Sequence, residues 1–478
     1  MGGAWTIKQC LYTLALAMAV VFGLLHLVSI PIGITYDGLE YIRLSDIVGS
    51  SQFPARWSPP RAPLFPLALK ATFYLVGRQP LAPILLSTSL GLLTILLLTA
   101  AARRICGYAP AAAVAVLISF YPTFIAYQHF VLTEAGTTFF LSFVIFLLVW
   151  QPVTSGERWQ RSILIGAVLS TGYYWRETLQ TLAFVAAPLH ALSCLTPIRP
   201  LGSGRYWRSI ILQTVLIIAA PYLAGSVWSH VIDNNTWKKM ALRQGLFRQA
   251  FIPASDRAVV TNAPFYEDAI RQSVVTGNFY SGLRSDLLDK VFEKSCSASA
   301  MDDPQSAFLR AMRQYPSRYA AAAVRTAVLL AGWPGALESE NRIFRGQIFD
   351  GSGSKIGEGP PDIHDQVIRQ FDQKSTDCLV LRFLRTITGP YDALIPIATL
   401  LTVLGLFWGC AIKDIRLVAC CALPLFYLSF YVLILDSIDR YAAPAYPMML
   451  ANCVILPMSV LGRLKARIPH LSGGAAHR

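Results

Sequence analysis

Apolar residues form long runs over most of the chain, and charged residues gather in the turns between these runs. A helix that crosses the hydrocarbon core of a bilayer needs about 20 mainly apolar residues. Ten runs come close to this length. They predict ten membrane-spanning helices, at 9–31, 80–102, 108–124, 132–150, 162–175, 178–194, 209–231, 387–410, 415–435 and 441–460.

Three apolar stretches depart from this simple pattern. The fifth and sixth runs are short, and residues 173–177 between them can also be the middle of one kinked helix. The stretch 63–76 is short, rich in proline and contains Lys70, which is typical of a helix that lies in the membrane interface. The run 319–333 is interrupted by Arg325, and we expect an amphipathic interfacial helix there as well.

The distribution of positive charge indicates the orientation of the spans, because cytoplasmic loops carry an excess of lysine and arginine. Every second short turn of this chain is basic, and so is the C-terminal tail. The residues predicted to be cytoplasmic are Arg103, Arg104, Arg158, Arg161, Arg199, Arg205, Arg208, Lys413, Arg416, Arg463, Lys465 and Arg467. The long segment 232–386 then lies on the exoplasmic side, with the turns that hold Glu134, Arg176 and Asp439.

These elements predict an all-α polytopic membrane protein with about ten transmembrane helices. Interfacial helices occupy the first exoplasmic loop, and the large exoplasmic segment is expected to be mainly helical. Three regions follow: an N-terminal transmembrane module of seven spans at 1–231, a soluble exoplasmic segment at 232–386, and a C-terminal module of three spans with a basic cytoplasmic tail at 387–478.

Composition supports this class of protein. Of the 478 residues, 54% are hydrophobic and 14% are charged, whereas soluble domains carry nearer a quarter charged residues. The lipid bilayer is therefore the expected surrounding. A net charge of +14 is also common in proteins that bind nucleic acid. Because the positive charges follow the membrane topology, we expect no nucleic-acid partner.

The cysteines leave two possibilities open. Of nine cysteines, only Cys296 and Cys378 lie in the exoplasmic segment. Outside the cytoplasm such a pair can be oxidised to a disulfide, and two unrelated free thiols are the second possibility. No C-x-x-C motif or His/Cys cluster indicates a metal site. We therefore expect no metal and no other cofactor, although the sequence is compatible with a divalent metal.

Ionisable residues at membrane depth are costly and usually functional. Four groups lie at predicted exoplasmic helix ends: Asp37 and Glu40, Glu134, Arg176 with Glu177, and Asp439 with Arg440. Each can also have a purely structural role. The carboxylates can cap helices, Arg176 can pair with Glu177 or Glu134, and Arg440 can extend to the lipid headgroups. His129 is expected to be a packing residue.

Taken together, the four groups combine carboxylates and arginines on one face of the membrane. The planar guanidinium group suits the oxygens of a phosphate. A carboxylate can accept a proton from an attacking hydroxyl group. This combination is what a cleft for phosphate-linked substrates requires.

Five short segments resemble, in the same order, segments of the GT-C glycosyltransferase superfamily, in particular the protein O-mannosyltransferases and the lipid A aminoarabinose transferase. They are Asp37 with Tyr41, R-A-P-L-F-P-L-A-L-K-A-T-F-Y-L-V-G at 61–77, Y-P-T-F-I-A-Y-Q-H-F-V-L-T-E at 121–134, Y-Y-W-R-E-T-L at 173–179 and D-R-Y-A-A-P-A-Y-P at 439–447. The resemblance covers about 9–231 and 387–460. Two departures are the proline pair at 59–60, which precedes Arg61, and Gly38, where the family often has a second acidic residue. The second departure argues against a metal-dependent mechanism with paired carboxylates.

The resemblance implies a glycosyltransferase that moves a sugar from a polyprenyl-phosphate donor to a lipid, glycan or protein acceptor, with inversion of configuration. The residues that it implies are Asp37 as the catalytic base, Arg440 and Arg176 as ligands of the donor phosphate, and Glu134, Tyr41, Glu40 and Tyr441 as substrate-orienting residues. The exoplasmic side is the periplasm in a Gram-negative bacterium or the ER lumen in a eukaryote. The excess of arginine over lysine favours a bacterial inner membrane, with the active site facing the periplasm.

Three further functions remain open at this stage. The first is a membrane transporter or lipid flippase, which would place charged residues near the middle of the membrane, often on internal repeats. Here the charges lie at one face, and the two halves of the chain show no repeat. The second is a non-catalytic scaffold of the same architecture, and the third is an enzyme that transfers a phospho-group.

Overall fold

The computed structural model is helical, and no strand occurs within the residues that it describes. The described residues are 6–30, 32–33, 36–57, 61–195, 204–232, 309, 312–332, 378–433 and 441–467. The helices are α1 (Ile7–Ser29), α2 (Tyr36–Ile47), α3 (Leu64–Val76), α4 (Leu81–Cys106), α5 (Tyr108–Ser119), α6 (Pro122–His129), α7 (Glu134–Val149), α8 (Ser155–Trp175), α9 (Ala183–Leu195), α10 (Gly204–Val231), α11 (Pro316–Leu330), α12 (Leu379–Ala411), α13 (Ile415–Leu433) and α14 (Tyr446–Arg467). Two 3-10 helices, Glu177–Leu182 and Ala443–Ala445, precede α9 and α14.

A helix lies at each of the ten predicted spans, which confirms the all-α membrane fold. Within the described residues, seven helical stretches are long and apolar enough to cross a bilayer, and an eighth is formed if the bent pair α5–α6 is one span. Helix α7 has 16 residues and is short for a span. Helix α8 has 21 residues, but Glu157, Arg158 and Arg161 make its first turns polar.

Two breaks in the helices follow from local backbone conformation. Helices α5 and α6 are bent by 53°, because Pro122 begins α6 and Tyr121 before it is extended, as the residue before a proline usually is. The chain is also extended at Arg176, with φ −155° and ψ 118°, so α8 ends at Trp175. Residues 173–177 are therefore a true break, and the interpretation as one kinked helix is wrong.

The helices pack around a continuous apolar core. Helix α4 packs against α5 and α7, and α14 packs against α12 and α5. Helix α8 lies between α10 and α7. The helix predicted at 63–76 is confirmed as α3, which packs against α2 and α4. Helices α2 and α3 thus pack on each other, and α3 joins them to α4.

Most of the predicted exoplasmic segment lies outside the described residues. The prediction that this part is mainly helical falls there as well. The described part contains α11, where the sequence predicts an amphipathic helix. The Tyr319 hydroxyl donates to the carbonyl oxygen of Leu433 at 2.7 Å, which joins α11 to the end of α13. The C-terminal module begins with α12 at Leu379, earlier than the predicted start of its first span at 387. Cys378 is a free thiol, and Cys296 lies outside the described residues.

Arg161 is the clearest difference from the sequence-based picture, which assigns it to a cytoplasmic loop. It lies in α8 with its side chain fully buried. Its guanidinium donates to the carbonyl oxygen of Trp150 at 2.7 Å and to His190 Nδ1 at 3.1 Å, and it also donates to Ser193 Oγ. The last carbonyl groups of a helix have no partner within that helix. The contact with Trp150 therefore caps α7 and joins it to α8 and α9.

Candidate functional site

Asp37 lies in the first turn of α2, directly after the first span. Arg61 forms an ion pair with it, from the segment that leads into α3. The guanidinium carbon of Arg61 also lies 5.0 Å from the centre of the Tyr41 ring. The indole N–H of Trp57 donates to the backbone carbonyl of Arg61 at 2.7 Å, which fixes this segment. The predicted base is therefore paired with an arginine that lies 24 residues further along the chain.

A second ion pair joins the predicted residues Glu134 and Arg176. Arg176 Nη1 donates to Glu134 Oε1 at 3.2 Å, and the two side chains are 12% and 3% exposed, with the arginine given first. Among the described residues, this is the one hydrogen bond that the Arg176 side chain makes. The second carboxylate oxygen, Glu134 Oε2, is buried and has no hydrogen-bond partner among them. The pair thus retains donors on the arginine and an acceptor on the glutamate.

Backbone hydrogen bonds join the loop before Asp37 to the loop before Glu134. The Gly33 N–H donates to the His129 carbonyl at 2.7 Å, and the Val131 N–H donates to the Gly33 carbonyl at 3.2 Å. Close by, His26 Nδ1 and His129 Nε2 are 3.0 Å apart in the buried core. These contacts fix the loop before Asp37 against the loop before Glu134. The prediction that His129 is a packing residue agrees with its complete burial.

Both ion pairs lie near enough to Tyr41 for their charges to act on it. Burial raises the pKa of this phenol, and the charges of Arg61, Asp37, Glu134 and Arg176 all act on it. The hydroxyl group therefore stays protonated at neutral pH, as a hydrogen-bond donor. We call Asp37, Tyr41, Arg61, Glu134 and Arg176 the charged cluster.

Tyr441 completes one side of the charged cluster. The guanidinium carbon of Arg176 lies 4.9 Å from the centre of the Tyr441 ring. The ring of Tyr441 is also stacked on Tyr431 of α13, with ring centres 5.0 Å apart and planes 17° apart. It therefore contacts both Arg176 and Tyr431.

Two predicted site residues are not brought into the charged cluster by any contact described. Glu40 accepts two hydrogen bonds from Arg43 on the same helix, at 2.7 and 2.9 Å. Arg440 lies outside the described residues. Of the seven predicted site residues, the structure thus brings together Asp37, Tyr41, Glu134, Arg176 and Tyr441.

Sequence reasoning missed Arg61 and Tyr431 as members of the site. Arg61 is visible in the segment R-A-P-L-F-P, but its contact with Asp37 depends on how the chain returns after α2. Tyr431 lies within an apolar span, where an aromatic residue gives no separate signal. Within the described part of the chain, no group of three or more His, Cys, Asp or Glu residues has the arrangement of a metal site.

Comparison with known proteins gives matches among solved structures alone. The sequence matches no protein-family model, and no curated protein matches it. ArnT from Cupriavidus metallidurans, bound to undecaprenyl phosphate, is 16% identical with a TM-score of 0.36, and the match covers 95% of this chain and 79% of ArnT. The archaeal oligosaccharyltransferase AglB from Archaeoglobus fulgidus, in complex with an inhibitory peptide and a dolichol-phosphate, is 12% identical with a TM-score of 0.44.

The archaeal match covers 99% of this chain and 53% of AglB, so the chain spans about half the length of that protein. The apo form of the Archaeoglobus enzyme matches with 12% identity and a TM-score of 0.46.

Proposed function

We propose that this protein is a membrane glycosyltransferase that takes a sugar from a polyprenyl-phosphate donor. The observation that carries the proposal is the pair of unmatched groups in the charged cluster. Arg176 keeps N–H donors without a partner among the described residues, and Glu134 Oε2 is a buried acceptor without one. Leaving the buried Glu134 Oε2 unpaired costs about 1–3 kcal/mol. A ligand with both anionic oxygens and hydroxyl groups, such as a sugar linked to a phosphate, satisfies both groups.

The reaction is a displacement at the anomeric carbon of the donor sugar. Asp37 accepts the proton of an acceptor hydroxyl group, and the acceptor oxygen attacks the carbon from the face opposite the phosphate. The bond between this carbon and the phosphate oxygen breaks, and its electron pair leaves with the phosphate. The product is a glycoside of inverted configuration together with free polyprenyl phosphate.

Charge complementarity assigns the remaining roles. Negative charge grows on the phosphate as the bond breaks, and arginines aimed at that position stabilise it. Arg176 supplies this charge, with Arg61 and, from the D-R-Y segment, Arg440. Glu134 Oε2 accepts a hydrogen bond from a substrate hydroxyl group, and the protonated phenol of Tyr41 donates one. Tyr441 acts on Arg176, and Glu40 remains a candidate for orienting the acceptor.

The location follows from the charge of the loops. The cluster lies at the helix ends opposite to the basic turns, which is the exoplasmic side by the positive-inside rule. In a bacterial inner membrane this side faces the periplasm, where the acceptor is a lipid, a glycan or a protein. The lipid tail of the donor lies in the bilayer beside the last spans.

Purified protein in detergent tests the proposal. The protein is incubated with a panel of radiolabelled polyprenyl-phosphate monosaccharides and a membrane lipid extract, and the release of free polyprenyl phosphate is measured. We expect one donor to be cleaved by the wild type and not by Asp37→Ala. If neither protein cleaves any donor while solute or lipid capture is observed, the transferase assignment is wrong and transport takes its place.

A further inference from the structure

Arg176 is held on two sides by groups of different kinds. In the plane of the guanidinium, Nη1 donates to Glu134 at 3.2 Å. The guanidinium carbon lies over the ring of Tyr441, 4.9 Å from the ring centre. A cation over an aromatic face is attracted by the negative charge density of the ring. The two contacts together hold the guanidinium in position.

The ring of Tyr441 is itself supported by α13. It is stacked on Tyr431, with ring centres 5.0 Å apart. The hydroxyl of Tyr431 donates to Thr178 Oγ1 at 3.3 Å and lies 3.4 Å from the hydroxyl of Tyr427. Thr178 follows Arg176 by two residues in the chain. The contacts therefore start at Arg176, pass through two stacked rings and return to the same turn.

We infer that Tyr441 and Tyr431 are positioning residues that hold the Arg176 guanidinium in place for phosphate binding. Glu134 occupies one N–H of the group and the Tyr441 ring contacts it from another side, so that the remaining N–H donors are available to a phosphate. Arginine binds phosphate best through two parallel hydrogen bonds, which require the group to be held in one position. The inference rests on the proposed function and adds to it a cause for the position of Arg176.

The size of the effect follows from the type of contact. Cation–π contacts change binding constants by about 2- to 30-fold, with the larger values at desolvated sites. The Arg176 side chain is 12% exposed, so we expect the upper half of this range. Tyr441→Leu removes the ring and should weaken phosphate binding by about 10-fold. Tyr441→Phe keeps the ring and should stay within about 2-fold of the wild type.

The experiment compares two lipids that differ in the phosphate alone. Binding of undecaprenyl phosphate and of uncharged undecaprenol is measured in detergent for the wild type, Tyr441→Leu, Tyr441→Phe and Tyr431→Leu. Tyr174→Leu is the matched control, because this tyrosine lies in the last turn of α8, next to Arg176, but donates to the Ala224 carbonyl and packs beside Trp228. We expect Tyr441→Leu and Tyr431→Leu to weaken binding of the phosphate and not of the alcohol.

A double-mutant cycle links the effect to Arg176. Arg176→Lys should weaken binding of undecaprenyl phosphate in the wild-type background and have little further effect in Tyr441→Leu. Equal loss of both lipids, or full additivity with Arg176→Lys, would show that the rings support the fold alone and would overturn the inference. A wild type that does not prefer the phosphate over the alcohol overturns the proposed function as well. Thermal stability in detergent identifies any variant that fails to fold, and Tyr431→Leu then provides the second test.

Discussion

Asp37→Asn should have opposite effects on two measurable quantities. In the structure the Asp37 carboxylate is paired with Arg61, and the carboxylate and arginine side chains are 15% and 21% exposed. The substitution removes the catalytic base of the proposed reaction. It also releases an arginine that a donor phosphate otherwise has to share with Asp37. The variant should therefore turn over more slowly and bind polyprenyl phosphate more tightly.

The ion pair gives the magnitude. A hydrogen bond to a charged group contributes about 1.5–3 kcal/mol. Both side chains keep some contact with solvent, so we take the lower end. Asp37→Asn should bind undecaprenyl phosphate about 10-fold more tightly. General-base catalysis contributes about 10²–10⁴-fold, so turnover should fall by at least about 100-fold.

The assay measures the affinity for undecaprenyl phosphate and the rate of sugar transfer on the same preparations. Asp46→Asn is the matched control, because Asp46 lies on the same helix and pairs with Arg78 at 2.5 Å, but is 52% exposed. An exposed pair of this kind contributes little, and neither quantity should change. If Asp37→Asn binds undecaprenyl phosphate no more tightly than the wild type, Arg61 does not bind the phosphate. Undiminished turnover would refute the role of Asp37 as the base.

Three further predictions concern residues that position the site or stabilise the fold. Gly136→Ala should abolish transfer and lower the melting temperature, because a Cβ atom there would lie 2.0 Å from the Trp175 ring, next to Arg176. Arg161→Ala should lower the free energy of unfolding by about 2–5 kcal/mol, because several buried acceptors lose their donor. Heating followed by size-exclusion chromatography should show this as a lower apparent melting temperature than that of the wild type. For Asp414, burial opposes ionisation, but hydrogen bonds and charge from Arg416 outweigh it and lower the pKa of the carboxyl group. The ionised carboxylate therefore stabilises the fold fully at pH values above its unfolded pKa of about 3.9, and this stabilisation is lost as the pH falls below that value. The difference in melting temperature between the wild type and Asp414→Asn should be full at pH 7 and shrink below about pH 4.

The sequence predicts the helices well, because apolar runs of membrane length are compatible with few other structures. It also names five residues that the structure brings together: Asp37, Glu134 and Arg176 as charges at helix ends on one face, and Tyr41 and Tyr441 through the family resemblance alone. The sequence does not predict contacts between residues that are far apart in the chain and are brought together by the tertiary fold. Arg61 reaches Asp37 only after α2 and a turn, and Arg161 looks like a loop residue until the acceptors on neighbouring helices are known. These are properties of tertiary packing rather than of local pattern.

The β-bridge between Gly33 and Phe130 has a consequence for how the two carboxylates are spaced. Asp37 follows Gly33 by four residues, and Glu134 follows Phe130 by four residues. The bridge consists of backbone groups. A substitution removes one of them only if it introduces proline, which has no N–H. The register of the two carboxylates is therefore encoded in loop length. Inserting or deleting a single residue after either anchor would displace one carboxylate by up to about 3.5 Å, whereas many substitutions in the same loops would leave the spacing intact.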